Sequence, residues 1–457
     1  MTARVVIAGT HSGVGKTSVA TGIMAALAAR GLRVAPFKVG PDFIDPSYHR
    51  LAAGRPGRNL DPYLCGAELI EPLLLHGSSG ADIAVIEGVM GLFDGVAATQ
   101  GYASTAHVAK LLRAPVVLVV DASSLSTSVG ALVHGFANYD RELAVRGVIL
   151  NRVGSAVHEQ MLTDAVERVG LPVLGVLHRY QAAAVPSRHL GLVPATEQGA
   201  QAHRSVRALA ELVSSACDLD AVSRLAAAAP PLGTRAWDPR PERPAIWSPA
   251  RVGVAGGRAF TFIYEENLEL MRARDIELCP FDPTSDEALP EGLDALYLCG
   301  GFPEVYAQEL EANAAMRSAI ARFAAGGRPV VAECGGLLYL CRNLDGRNMC
   351  GVVDAEARMD ARLTIGYRSA VAAPGSFLSA AGARVRGHEF HRSVVVPPAG
   401  ANPAWIMAGR PEGFVHNGVH ASYLHVHWAG YPQLADRFAA AVQRGRATLS
   451  LGPREGR

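Results

Sequence analysis

An apolar run, Val5-Val6-Ile7-Ala8, leads directly into Gly9-Thr10-His11-Ser12-Gly13-Val14-Gly15-Lys16-Thr17-Ser18, and a stretch with helical periodicity follows. A glycine-rich loop between a strand and a helix leaves backbone N–H groups turned inward, and the helix start adds positive dipole. Such a loop is shaped for phosphate. Gly13, Gly15 and Ser18 would contribute backbone, Lys16 a mobile cation for the β- and γ-phosphates, and Thr17 a hydroxyl for Mg²⁺. The usual P-loop is one residue shorter between its first glycine and the Gly-Lys pair, because Gly9 and Gly15 enclose five residues here. The loop is therefore a variant. A glycine turn with a chance lysine is the bland alternative, but strand, glycines, Gly-Lys-Thr-Ser and helix occur together.

The next segments extend the pattern. Val19, Ile23, Met24 and Leu27 recur at helical spacing, with Gly31 placed as a C-cap. Arg33–Lys38 reads as a second strand feeding Val39-Gly40-Pro41-Asp42-Phe43-Ile44-Asp45-Pro46-Ser47-Tyr48-His49. Ile83–Ile86 ends on Glu87 and enters Gly88-Val89-Met90-Gly91-Leu92-Phe93-Asp94-Gly95, Pro115–Val120 ends on Asp121, and Val145–Leu150 ends on Asn151-Arg152. Alternation of these runs with helical stretches predicts a doubly wound, mostly parallel α/β sheet. Ligands of such sheets bind at the carboxyl ends of the strands, so Lys16, Thr17, Lys38, Asp42, Asp45, Glu87, Asp94 and Asn151 are expected around one crevice. An acid after a strand is often only a turn residue, the reading preferred for Asp121. Glu87, ending a buried strand beside the loop, is instead expected to help hold Mg²⁺.

At 457 residues the chain exceeds what one core normally supports. Composition shifts at Ala226-Ala227-Ala228-Ala229-Pro230-Pro231, which predicts domains over 1–220 and 250–445, a linker over 221–249 and a tail over 446–457. With 43 basic against 42 acidic residues and no basic run, neither nucleic acid nor another polyanion is indicated as a partner. Seven cysteines without a C-x-x-C pair argue against a disulfide framework or zinc ribbon. No leader or membrane-length apolar run is present, and a cytoplasmic location is expected.

In the second half, strand and helix again alternate, and Arg328–Glu333 runs into Cys334-Gly335-Gly336. A sharp turn there would expose the sulfur, and the following helix start is expected to lower its pKa. Cys334 is thus the candidate nucleophile, while the other six cysteines read as small core residues. His425 is the candidate base, and the N–H groups of Gly301 and Gly335 form the candidate oxyanion hole. His388-Glu389-Phe390-His391 and His425-Val426-His427 could be read as metal ligands, but they lack the spacing of known Cys/His sites.

The Gly9–Thr17 loop, the Lys38–Pro46 segment and the Glu87–Gly95 segment together resemble the cobyrinic acid a,c-diamide synthases. Glu333-Cys334-Gly335-Gly336, Gly387–His391 and Tyr423–Trp428 resemble the class I glutamine amidotransferase domain of the same enzymes. The resemblance covers nearly the whole chain in the family's order. It implies ATP and Mg²⁺ as cofactors, L-glutamine as nitrogen donor, and a corrinoid polycarboxylate whose c- and a-acetates become amides through acyl phosphates. The first domain is also similar to dethiobiotin synthetase, which shares the longer glycine loop and implies adenine contact for Asn151. Asp42, Asp45, Asp94 and Lys38 are left as orienting or metal-contacting residues without separate roles, and a homodimer is left open. Amidotransferases place a Glu two residues after the histidine, where this chain has His427, so the third triad member is left open, with Glu389 as the candidate offered. Cobyrinic and hydrogenobyrinic acid are both open as substrates, the latter favoured by the Ala- and Arg-rich composition. Nickel-sirohydrochlorin and, more distantly, a P-loop switch ATPase with a degenerate second domain are the alternatives.

Overall fold

A computed structural model describes residues 2–179, 187–188, 191–192, 195, 199–241 and 247–450, with only the backbone at 187–188, 191–192 and 446–450. The chain divides into two compact units, Met1–Asp238 and Pro239–Arg457.

The first unit holds a seven-stranded sheet of β1 (Ala3–Gly9), β2 (Val34–Val39), β3 (Arg58–Leu60), β4 (Ile83–Glu87), β5 (Val116–Asp121), β6 (Val145–Val153) and β7 (Val173–His178), in the order β3-β2-β4-β1-β5-β6-β7. Every pairing in it is parallel. Val5, Val6, Ile7, Val85, Ile86 and Val117–Val120 are fully buried, as expected of strands covered on both faces. Helix α1 (Lys16–Ala29) buries most of its circumference between the sheet, α2 (Ile44–Ala53) and the helix Ala200–Ala216, which explains its near-uniform apolar composition. The chain crosses β1 in passing from β4 to β5, so the carboxyl ends of β1, β2 and β4 flank a topological switch point. Two short strands, β8 (Ser187–Arg188) and β9 (Gly191–Leu192), form a separate antiparallel pair.

Much of the stretch expected as a linker is built into this unit. Leu219–Ala227 is a helix capped by Asp218 and lying on β1, because an alanine run is also a strong helix former. Beyond it, Arg4 Nη2 donates to Pro230 O (2.6 Å) and Trp237 N to Pro72 O (2.9 Å).

The second unit carries β10 (Ala250–Ala255), β11 (Ile276–Phe281), β12 (Ala295–Leu298), β13 (Val330–Glu333), β20 (Phe414–His416) and β21 (Val419–Ser422), ordered β11-β10-β12-β13-β21-β20. All neighbours are parallel except β20 with β21. A further sheet departs from the expected alternation: β14 (Asn343–Leu344), β15 (Arg347–Asn348), β16 (Glu356–Ala372), β17 (Arg384–Val396), β18 (Trp405–Met407) and β19 (Arg410–Glu412), mostly antiparallel. The last helix, Gln433–Ser450, continues through the boundary expected at 445, and the end of the expected tail, 451–457, lies outside the described residues.

Candidate active sites

The first site is built on the turn from β1 into α1. Gly13 and Gly15 have φ of +81° and +93°, a left-handed backbone that suits glycine, and a Cβ at Gly15 would run into the Asn151 amide. Lys16 folds over the loop, with Nζ on His11 O (3.2 Å). Thr17 Oγ1 donates to Glu87 Oε1 (2.6 Å) and lies 3.3 Å from Asp45 Oδ2. Ser18 is half-buried on the first turn of α1.

Parallel pairing places Lys38 opposite Glu87 across β2 and β4, and their side chains meet. Lys38 Nζ donates to Asp45 Oδ2 (2.6 Å), Glu87 Oε1 (2.8 Å) and Gly88 O (3.1 Å). His49, one helical turn after Asp45 on α2, contacts Glu87 Oε2 through Nε2 (2.7 Å). Sequence reasoning passed over His49, although its i+4 spacing from Asp45 was a usable signal. Asp42 serves as a cap, its Oδ1 accepting from Ile44 N (2.8 Å) and Asp45 N (3.1 Å). Asp94 shapes its own loop by accepting from Gly91 N (2.9 Å). Asn151 donates to Val14 O (2.8 Å), and its neighbour Arg152 donates to Gly13 O (3.0 Å) while pairing with Asp121. Asp121 also accepts from Ser123 N (2.9 Å), the turn role expected of it.

Charge is concentrated here despite burial. Burial disfavours the Lys38 cation, but Asp45, Glu87 and Asp42 raise its pKa and keep it charged. Burial likewise acts against the Glu87 carboxylate, and Lys38 and His49 outweigh it, so its pKa falls. Asp45 is pushed up by burial and by Asp42 and Glu87. Lys16 is lowered to about 8, first by burial and then by Lys38. A hydroxyl and carboxyl oxygens beside a phosphate loop form the oxygen donor set that Mg²⁺ takes, so Thr17 and the ionised Glu87, with Asp45 beside them, fit that ion.

The second site lies at the ends of β13 and β21. Cys334 has φ of +47°, a strained value for a non-glycine residue and one that marks a sharp strand-to-helix turn. Its N–H donates to Ser422 O (2.7 Å), tying the turn to the end of β21. Gly300 and Gly301 follow β12. A Cβ at Gly300 would strike His425 Cε1, one at Gly335 would meet Gly301 N at 2.9 Å, and one at Gly301 would strike Ala259 O. These close approaches require glycines, and they gather Cys334, Gly335, Gly300, Gly301 and His425 around one space. His425 exchanges backbone hydrogen bonds with His388 (3.0 and 3.1 Å), and its ring forms a three-way cluster with Phe262 (4.4 Å) and His388 (4.9 Å), which are 5.5 Å from each other.

One expectation changes at this site. The Cys334 thiol is not lowered: burial pushes it well up, Glu304 and Glu389 add to that, and the Gly335 N–H opposes it only in part. Burial outweighs a six-residue helix start. Glu389 pairs with Arg368 Nε at 2.5 Å and His391 Nε2 at 3.7 Å and acts on His425 through its charge, whereas Glu333 Oε2 lies 3.7 Å from His425 Nδ1. Burial holds His425 down at about 3 and raises Glu333 to about 8. The other histidines have protein partners: His388 Nε2 contacts Tyr264 OH (2.9 Å), His391 Nδ1 contacts Ser393 O (2.9 Å), and His427 Nε2 is 3.5 Å from Glu266.

The sequence matches the CobQ/CobB/MinD/ParA nucleotide binding domain over residues 5–193 and the CobB/CobQ-like glutamine amidotransferase domain over 251–433. It is 57% identical to the hydrogenobyrinate a,c-diamide synthase of Streptomyces coelicolor, covering 97% of this chain and 98% of that one. The enzyme of the same name from Thermobifida fusca is 53% identical, with 97% of each chain covered. A cobyrinate a,c-diamide synthase from Synechococcus is 40% identical over 97% of this chain and 99% of its own.

Proposed function

The chain belongs to the family of glutamine-dependent a,c-diamide synthases, and from that premise we propose that it amidates the a- and c-acetates of hydrogenobyrinic acid. One observation carries the reading: a phosphate loop with an ionised cluster and a strained cysteine beside two glycines and a histidine stand at parallel strand ends of one chain. Hydrogenobyrinate rather than cobyrinate is favoured because relatives named for the former are 53–57% identical and those named for the latter 39–42%.

At the first site a substrate carboxylate oxygen attacks the γ-phosphorus of ATP, forming an acyl phosphate and releasing ADP. Two anions must approach, so Lys16 and Lys38 supply positive charge along the path. Thr17 and Glu87, with Asp45, would hold Mg²⁺, which neutralises the β- and γ-phosphate oxygens when bound. Asp42 fixes the start of α2 and thereby Asp45, and Asp94 fixes the 91–94 turn facing Lys16. Asn151 buttresses the loop from the side where adenine is expected. Ammonia then attacks the acyl carbon, phosphate leaves, and a proton is lost to give the amide.

At the second site Cys334 gives its proton to His425 and attacks the glutamine amide carbon, with the Gly301 and Gly335 N–H groups taking the oxyanion. His425 returns the proton to the departing ammonia, and water hydrolyses the thioester. All seven cysteines are free thiols, which suits a reducing cytoplasm. Among the described residues no helix is long and apolar enough to cross a membrane.

The test is mass spectrometry after incubation with ATP, Mg²⁺ and glutamine plus hydrogenobyrinic acid, cobyrinic acid or nickel-sirohydrochlorin. The expected result is replacement of two OH groups by NH₂, fastest on hydrogenobyrinic acid. Faster turnover of either other tetrapyrrole would reassign the substrate, and turnover of none would reject the reading.

A further inference from the structure

The sequence leaves the glutaminase site without a third member, and the side chains around His425 narrow the choice. His427 is directed to Glu266 Oε2 (3.5 Å) and packs on the Tyr264 ring (4.4 Å). Glu389 is held by Arg368, and its charge acts on His425 from beyond ion-pair distance. Glu412, on β19, accepts from Ser422 Oγ (2.6 Å) and Tyr423 N (2.8 Å), where it secures the end of β21. Glu333 remains. Its side chain and that of His425 are 8% and 2% exposed, and Oε2 lies 3.7 Å from Nδ1.

The His425 ring has little freedom. Phe262 and His388, whose own rings are 5.5 Å apart, pack against one side of it, and the backbone of Gly300 closes on its Cε1 edge. What Nδ1 bonds sets the ring's rotation, and the Glu333 carboxyl, raised by burial, fixes the tautomer whose Nε2 is free to accept a proton once it ionises. At 3.7 Å, Oε2 stands within ion-pair reach of Nδ1. Resting on the glutaminase reading above, we propose that Glu333 is the positioning carboxylate of His425. One strand end then carries both the nucleophile and the group that orients its base, which removes the need for an acid after the histidine.

The experiment uses the full chain with Glu333→Gln and Glu333→Asp. Three quantities are read: kcat and KM for glutamine hydrolysis, the rate of Cys334 alkylation by iodoacetamide, and the thermal midpoint. In Glu333→Gln, kcat should fall about 10²- to 10⁴-fold with KM within about threefold of wild type, as when the orienting acid of a triad is removed. Alkylation should slow about tenfold or more, since the thiolate depends on an oriented base. Glu333→Asp keeps the carboxylate and should recover part of both. If Glu333→Gln does not fold, the shorter arm of Glu333→Asp alone should lower kcat without moving the thermal midpoint. Unchanged kcat in either variant, or a fall in kcat with unchanged alkylation, would overturn the assignment. Absence of glutaminase activity in the wild-type chain would overturn the reading of the whole site, and the role of Glu333 with it.

Discussion

The two sites share an address and differ in electrostatics. At the end of β1 and β4, burial surrounds the Lys38–Glu87 pair, whose charges sustain each other, with Asp45 bonded to Lys38 and His49 to Glu87. At the end of β13 and β21, burial suppresses charge: the Cys334 thiol and the Glu333 carboxyl are pushed up and His425 is pushed down. The difference follows the chemistry. A carboxylate attacking a phosphate brings fixed negative charge that must be met by cations already in place. A thiol attacking an amide creates charge only during the reaction, so the resting groups can stay neutral until substrate and oriented base arrive.

The largest effect is expected where the charges are permanent. Lys16→Ala should reduce synthesis from glutamine and from free ammonia alike, by about 10³-fold or more, because the phosphate site serves both. Loss from glutamine alone would put Lys16 outside that site. Next, Cys334→Ser should abolish glutamine-dependent synthesis while sparing ammonia-dependent synthesis, and loss of both in a folded variant would join what the account keeps apart. Gly300→Ala should be milder. Its methyl would displace the His425 ring and cost about 10²-fold in glutaminase kcat, as small misplacements do. A normal rate would show that the ring position does not matter.

Smallest, and broadest, is a difference in pH response. Glu333 and Glu412 are raised from 4.5 to about 8 and about 7 by burial, so their contribution is intact below pH 4.5 and is lost as pH rises to 7–8. His425 and His420 are lowered from 6.5 to about 3 and about 4 by burial, so theirs is intact above 6.5 and is lost as pH falls to 3–4. Between pH 4.5 and 6.5 the two trends oppose each other, and above 6.5 only the carboxyl loss remains. Glu87 is lowered, which places its loss in acid, and Lys16 at about 8 already bears its full penalty below that pH. From pH 6.5 to 8, hydrogen exchange should therefore show residues 330–333 and 419–422 losing protection while β1 and β4 stay flat. Parallel behaviour of the two units would remove the contrast.

How much of this could be read in advance depended on whether the determinant was local. Gly13, Gly15, Lys16 and Thr17 are contiguous, and Lys38, Glu87 and Asn151 each end an apolar run, so periodicity alone placed them near one crevice. Cys334 was legible for the same reason. His49 was not singled out: its i+4 spacing puts it on the face of Asp45, but its partner Glu87 is 38 positions away and only the fold brings those two together. Glu333 stood within the Glu-Cys-Gly-Gly motif yet read as strand, since its role depends on His425 crossing to it from the end of the parallel β21. The thiol pKa was misjudged because a helix start is visible in sequence and the degree of burial is not. The β16–β17 hairpin was missed because much of β16 is exposed and its charged residues weaken an alternating pattern.

The central claim is that ammonia made at Cys334 becomes the amide nitrogen on acids activated at Lys16. It is tested most directly by supplying amide-¹⁵N glutamine together with unlabelled ammonia at low concentration, ATP, Mg²⁺ and hydrogenobyrinic acid, and reading both products by mass spectrometry. The account predicts ¹⁵N in both new amides, with ADP and glutamate formed in step with each. Glutamine hydrolysed without label entering the tetrapyrrole, or label entering without ATP consumption, would contradict it.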